Sequence, residues 1–409
     1  MNYFITLIFL LLSSSANAIS HNDMIWFGIL VFMCIYALAK KRVHGSDLKV
    51  LGILLFVYLA YVVLRDFLVT GLSFEYLQSD LIFPFKYIVL SFIYCVILRD
   101  KAPENIVNVI VHLTVVSFFF YFLQLVGFAD TIYNFSESLG LPHANTIPGY
   151  TNFIIFTFTK DLHDIRNSGF VWEPGAFGCF LMIALLFHFF RNKFVFDKKA
   201  YILIIGVVTT LSTTNYLALI ILLFLAYRYR VPKLNLYVLL MIPVFIILVI
   251  AIPFLGDKIA NIYLDDMKSL ENLKKIAKYH RDDQIPLNRF ASMVYLWDTL
   301  GPNLILGLSN KYDEYINKVY NLNISNGIFD FFAKFGVFGF LFLLYDYVKY
   351  CAIYLAKNEY IVYCVLILLV ISFGEPILFL PLILLFLFLP TLAKPDENPA
   401  SKFDLPIIE

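Results

Sequence analysis

KKAYILIIGVVTTLSTTNYLALIILLFLAYRYR, residues 198–230, is apolar for most of its length, basic at both ends and hydroxyl-rich in the middle. Its apolar part, 200–227, exceeds the roughly 20 residues a helix needs to cross the hydrocarbon core. Lys198, Lys199, Arg228 and Arg230 belong on the cytoplasmic side by the positive-inside rule, and a single crossing strands one cluster outside. Two passes restore the parity. TTLSTTN, at 209–215, supplies hydroxyls and an amide that can satisfy backbone groups where a helix breaks. The stretch therefore reads as two short half-spans meeting at membrane depth or at its outer edge. One long tilted helix that violates the rule is the alternative.

The next run, LYVLLMIPVFIILVIAIPFL (236–255), is apolar on every face. A transmembrane barrel would instead alternate residue by residue over segments of roughly ten. With 61% hydrophobic and 15% charged residues among 409, and a mean hydropathy of +0.79, a soluble globule is excluded. The fold class expected is all-α: a polytopic membrane protein of about 12 transmembrane helices. Spans fall near 3–19, 24–40, 48–65, 81–99, 104–127 and 174–191, then the broken pair and 234–254, then 327–349, 359–373 and 376–392. The cytoplasmic clusters are Lys40-Lys41-Arg42, Arg99/Lys101, Arg191/Lys193/Lys198/Lys199 and Arg228/Arg230/Lys233.

Four regions follow: residues 1–255 with the N-terminal spans, a large outer (periplasmic) loop at 256–326, C-terminal spans at 327–392 and a cytoplasmic tail at 393–409. From 256 to 325 there are nine Lys/Arg and nine Asp/Glu, the balance of a surface domain rather than of a basic tail. The N-terminus ends a short apolar stretch with Ala16-Asn17-Ala18, as a signal-peptidase site does, but lacks a basic leader region; cleavage is left open. Net charge is +1, so nucleic acid is not an expected partner. The five cysteines lie in apolar runs without CxxC spacing and read as small buried hydrophobes.

Three outer segments hold the unusual residues: 65–80, 128–173 and 288–310. Arg65 and Arg99 stand at membrane edges and read as interfacial anchors. Arg166 and Arg289 are framed differently. RNSGFVWEPGAFG (166–178) sets an arginine before a glycine turn, and Pro174 can open a helix whose N-terminal amides favour an anion. Arg289 precedes Trp297, Gly301-Pro302-Asn303 and Gly307. A guanidinium matches phosphate oxygens bidentately, although a salt bridge to a loop carboxylate is the plainer alternative for each. Glu173 is the carboxylate nearest the first arginine and is either a proton acceptor or a helix cap. Glu375, in FGEPILFLP, reads as cavity-lining. Lys334, about two turns into its span, faces a cavity or snorkels. Tyr150 and Trp172 offer faces for stacking, or are interfacial aromatics.

Taken in order, RNSGFVWEPGAFG, TTLSTTNYLAL, NRF…W…GPNLILGLS and ISNGIFDFFAKFGVFGF resemble the O-antigen polymerase and ligase superfamily, from about residue 50 to 390. The resemblance implies a GT-C-like membrane glycosyltransferase in the bacterial cytoplasmic (inner) membrane. Its implied partners are an undecaprenyl-pyrophosphate-linked oligosaccharide and the bilayer, with a chain-length regulator protein as a further candidate. It implies neither cofactor nor metal. Arg166 and Arg289 match the positions of the family's pyrophosphate-binding arginines; with Glu173 they make the expected catalytic set. Trp172, Tyr150, Asn326, Lys334 and Glu375 make the expected substrate-binding set. Ligases of the superfamily typically carry a His-Asn pair where this chain has Ser325-Asn326, and the departure favours a Wzy-type repeat-unit polymerase. A ligase and a flippase for the same lipid-linked unit are the competing readings.

Overall fold

The computed structural model describes residues 1–70, 74–141, 150–159, 165–230, 253–273, 285–309, 311–312, 322–355 and 357–393. Most of the expected 234–254 span and the tail beyond 393 lie outside them. The chain is mostly helical, and its strands among the described residues are four segments of three. Among the described residues four helical runs are long and apolar enough to cross a membrane: Gly45–Val69, Leu77–Ser138, Pro174–Arg191 and Gly327–Tyr354. Asn2–Ser13, Asp23–Ala39 and Asn358–Gly374 are shorter apolar helices. The long second run is not one rod, because Arg99 sits at φ 54° and divides it.

The Pro174–Arg191 helix is the hub. In its apolar window 94% is buried, against 17% for Gly45–Val69, so the first is core and the second turns its side chains outward to lipid. Around the hub pack Ala102–Leu123, Lys198–Thr209 and Thr213–Arg230, and the last of these lies along Asn358–Gly374. Apolar residues on every face of the hub, such as Phe177, Phe180, Leu181 and Phe187, account for this placement.

The stretch 198–230 is indeed broken. One helix runs Lys198–Thr209, the next Thr213–Arg230, and Leu211 between them has φ 48°. The hydroxyls do what a break requires: Thr209 Oγ1 donates to the Gly206 carbonyl and Thr210 Oγ1 to that of Val207, both at 2.7 Å. Asn215 Nδ2 donates to the Gly175 carbonyl at 2.7 Å and ties the second helix to the hub.

Two expected spans need correction. The first helix is Asn2–Ser13, 12 residues or about 18 Å, because Asn17 starts a new helix with a capping box to Ser20. It does not reach residue 19. Residues 376–392 are not one helix but the short pieces Pro381–Leu384, Leu385–Leu387 and Leu389–Leu392. Pro381 and Pro390 lack the N–H that a continuous helix uses. The segment is nevertheless almost wholly buried, and non-helical backbone at that depth is tolerated where protein surrounds it. Gly336, at φ 68°, kinks Gly327–Tyr354 where a side chain would strike the Ile305 carbonyl.

Candidate functional site

Arg166 is placed by the broken helix pair. Its Nε donates to the Thr210 carbonyl at 2.9 Å, an orphan acceptor of the break. Asn167 clamps the same point: its backbone N–H donates to the Thr209 carbonyl, and its Nδ2 to Thr209 Oγ1 and Ser117 Oγ. Asn167 is fully buried. The chain then turns at Gly169 (φ 53°), where any Cβ would meet the Phe177 ring, and enters the hub helix at Pro174. The RNSG segment is thus a plug in a helix break, with the Arg166 head half-exposed at its edge.

Arg289 is placed from the other end of the chain. Strands Ile285–Leu287 and Leu322–Ile324 pair in parallel, Ile285 opposite Leu322 and Leu287 opposite Ile324. That register puts the starts of the Arg289–Leu300 and Gly327–Tyr354 helices side by side. Asn326 joins them: its Nδ2 donates to the Arg289 carbonyl at 3.1 Å while its Oδ1 accepts from the N–H groups of Ile328 and Phe329. Asn326 is therefore a fully buried helix cap. Asp266, also fully buried, accepts from the Phe290 N–H through Oδ2. The Arg289 side chain reaches the end of Asn358–Gly374, where Nε donates to the Gly374 carbonyl at 2.8 Å and Nη2 to Glu375 Oε1 at 3.0 Å.

Glu375 is where the two halves meet. It is 2% exposed, and burial pushes its carboxyl well above the usual carboxylate range. The Glu173 charge and a hydrogen bond with Glu173 push it further, and Arg289 opposes them. Arg166 is lowered from the ordinary arginine value first by its own burial; Glu173 and then Glu375 oppose that effect, while Arg289 repels it. The four groups form one electrostatic cluster.

Glycines make the approach possible. A Cβ on Gly175 would collide with the Glu375 carboxyl, one on Gly327 with the Glu375 carbonyl and one on Gly374 with Thr214. Glu173 does not cap the hub helix with its side chain; its Oε1 accepts from Trp172 Nε1 at 3.1 Å. Tyr150 lies in the Tyr150–Asn152 strand, 3% exposed, its phenol raised by burial and within reach of the Glu173 charge. Arg166, Glu173, Arg289, Glu375, Trp172 and Tyr150 therefore share one neighbourhood, with Asn326 beneath it. A cavity of about 300 Å³ lined by Arg42, Arg99 and Lys101 includes none of them.

Lys334 has partners of its own. Its ammonium pairs with Asp330 at 3.1 Å and lies 5.1 Å from the Phe379 ring centroid and 5.6 Å from that of Tyr312. Its backbone carbonyl accepts from Arg65 Nη1 at 3.4 Å. Arg65 is a correction: it is not an interfacial anchor but 0% exposed, paired with Asp66 at 3.1 Å and with Asp80. Asp80 also accepts from Ser309 Oγ at 2.6 Å, and Tyr61 donates to the carbonyls of Leu306 and Phe335. Two nearby aspartates gave the arginine partners that lipid-facing anchors lack. The sequence reading does not single out Asn167 or Asp266, for which a polar residue inside an apolar or turn segment is the available signal; Asn215 is the amide it expects at the break.

This arrangement defines a class: a mostly helical integral membrane protein that gathers two arginines and two carboxylates from distant segments at the ends of buried helices. Residues 200–344 match the family model described as Wzy_C, O-antigen ligase, whose members are membrane glycosyltransferases acting on lipid-linked polysaccharide. The match agrees with the superfamily that the motifs resemble. It covers about a third of the chain, including the helix break, Arg289, Asn326 and Lys334, and it leaves Arg166, Glu173 and Glu375 outside. No curated protein and no solved structure matches the chain.

Proposed function

We propose that this protein polymerises undecaprenyl-pyrophosphate-linked oligosaccharide repeat units into surface polysaccharide at the periplasmic face of a bacterial cytoplasmic membrane. The observation that carries the reading is the meeting of Arg166 and Arg289 in one charged cluster with Glu173 and Glu375. Guanidinium groups are suited to a diphosphate, and a fixed positive field is most useful where negative charge develops as the glycosidic bond to the diphosphate breaks. In the step proposed, a sugar hydroxyl of one repeat unit attacks the anomeric carbon of the other chain and inverts it. Glu173 takes the hydroxyl proton, and undecaprenyl pyrophosphate leaves with the bonding electrons.

Polymerase is favoured over ligase by the residues at the end of the long loop. Ser325 and Asn326 stand where ligases carry His-Asn; the Ser325 N–H donates to Ser292 Oγ at 3.1 Å and Asn326 is occupied as a helix cap. Neither residue of the Ser325-Asn326 pair carries an imidazole, and His280 of the same loop lies outside the described residues. A chain-length regulator is the expected protein partner.

Gel profiling of surface polysaccharide in a deletion strain tests the reading. A polymerase deletion accumulates single repeat units; long chains retained on undecaprenyl pyrophosphate would establish a ligase instead. Complementation with Arg166→Ala or Arg289→Ala should slow transfer roughly 10- to 150-fold, as loss of one charge-assisted contact of about 1.5–3 kcal/mol does in a transition state. A full ladder from either variant at normal expression would remove that arginine from the clamp.

A further inference from the structure

The cavity of about 300 Å³ lies at the opposite end of the hub helix from the arginine cluster. Arg191, the last residue of the hub, donates through Nη1 to the Asp100 carbonyl at 2.6 Å, and Asp100 lines the cavity. Glu173 stands just before the first residue, so the 18 residues of the hub separate the two places by about 27 Å. Four chain segments close on the cavity: Asn2 of the first helix, Arg42, residues 97–101 and Leu392. Arg99 fastens two of them. At φ 54° it leaves the helical path after Leu98, and its guanidinium donates to the Asp47 carboxylate, Nη1 to Oδ1 at 2.9 Å and Nη2 to Oδ2. Nη2 also donates to the Arg42 carbonyl at 2.7 Å and to His44 Nδ1 at 2.9 Å. The walls are therefore held by bonds within the protein before any ligand arrives.

The lining is divided between charge and grease. Arg99 is taken by Asp47, whereas Arg42 and Lys101 are exposed and make no ion pair among the described residues. The charge open to a ligand is thus that of Arg42 and Lys101, with Asp100 as the one carboxylate of the lining. Ile97, Leu98 and Leu392 supply an apolar wall, each at most 8% exposed. With Lys40 and Lys41 beside it, this face belongs to the cytoplasmic side by the positive-inside rule. A basic pocket between membrane helices on that side suits the phosphate of an anionic headgroup. A guanidinium takes phosphate oxygens in pairs, and an ammonium adds a point charge. Free phosphate shares that chemistry but makes no use of the apolar wall. Ligand sites run from about 300 Å³ upward, so the space fits a headgroup and leaves the acyl chains in the bilayer.

We propose that this cavity binds the phosphodiester headgroup of an anionic phospholipid of the cytoplasmic leaflet, held by Arg42 and Lys101. The inference stands apart from the proposed function, because it uses neither the arginine cluster nor glycosyl transfer. A headgroup seated there touches the first helix, residues 97–101 and the last buried segment at once, so its binding stabilises the folded protein.

The test is native mass spectrometry of the delipidated full-length protein in detergent, titrated separately with phosphatidylglycerol, phosphatidylcholine and inorganic phosphate. Phosphatidylglycerol should bind roughly tenfold or more tightly than phosphatidylcholine and raise the melting temperature. Arg42→Gln and Lys101→Gln should each weaken its binding roughly fivefold, and together about 25-fold. Lys40→Gln with Lys41→Gln removes two exposed charges beside the cavity but outside its lining, and should change binding less than about twofold. A loss from that pair equal to the loss from Arg42→Gln with Lys101→Gln would reduce the attraction to general surface charge and overturn the proposal. Equal binding of the two lipids overturns it as well. Inorganic phosphate that matched phosphatidylglycerol in affinity would assign the cavity to a soluble ligand instead. The comparison of ligands uses the wild type alone, so it decides even where a variant misfolds. The readout is binding, so a strain phenotype that excluded polymerisation would sink the function and leave this site standing.

Discussion

Arg65 and Arg289 both emerge from helix ends near carboxylates, yet their surroundings differ. Arg65 is 0% exposed, paired with two aspartates and bonded to the Lys334 carbonyl. Arg289 has a side chain 37% exposed, one carboxyl partner and one carbonyl partner. Its Nη1 makes no hydrogen bond among the described residues. A guanidinium saturated by carboxylates is a staple, and here it pins the turn at 305–309 to the end of Gly45–Arg65. One left open, beside a carboxyl that burial tends to neutralise, keeps charge to spend on a ligand. Residue type and membrane-edge position are the same in both cases; saturation distinguishes them.

The comparison breaks most easily at Arg65. Arg65→Ala leaves Asp66 and Asp80 buried without their cation and should cost about 3–5 kcal/mol, read as a large loss of folded protein on size exclusion and of thermal stability. Arg289→Ala removes a guanidinium that is 37% exposed and leaves a single carboxyl, already raised by burial, that can take up a proton; it should cost less, about 1 kcal/mol, while transfer collapses. Equal destabilisation by both would erase the distinction.

The next effect is on pH dependence. Glu375 is raised in the folded protein above its ordinary value of 4.5, so its contribution to stability is fully present below that value and is lost as pH rises towards the folded pKa. Each proton so linked gives a slope of about 1.4 kcal/mol per pH unit across that window. Melting curves taken from about pH 5 upward should fall more steeply for the wild type than for Glu375→Gln. The smallest effect expected is at Asn326: Asn326→Ala removes a cap worth about 1 kcal/mol, and Asn326→Asp, which keeps both acceptor bonds, should recover most of it in a thermal melt.

Reading the sequence reached the parts of the fold whose cause is local. Basic residues at both ends of one apolar stretch, with hydroxyls between, are enough to place the break within 209–215, and the structure narrows it to 210–212. Arg166, Trp172 and Glu173 are near neighbours in sequence, so their association was legible too. Partners far apart were less so. Arg65 looked like an anchor because Asp80 meets it only when two helices pack, and Ser309 arrives from the far side of the long loop. Lys334 is grouped with the site on its depth in a span, and its pairing with the i,i+4 neighbour Asp330 goes unread. The last segment looked like a span by hydropathy alone, and Pro381 and Pro390 decided its backbone instead.

The hold of the broken helix on Arg166 sets a boundary for engineering. Because Thr209, Thr210 and Ser117 grip Arg166 and Asn167 from the helices, the arginine end of the candidate site is anchored by contacts other than those of the segment that precedes it. Under the proposed function, chimeras that exchange the residues before 165 and keep 166–178 should change acceptor preference while leaving the arginine segment in place.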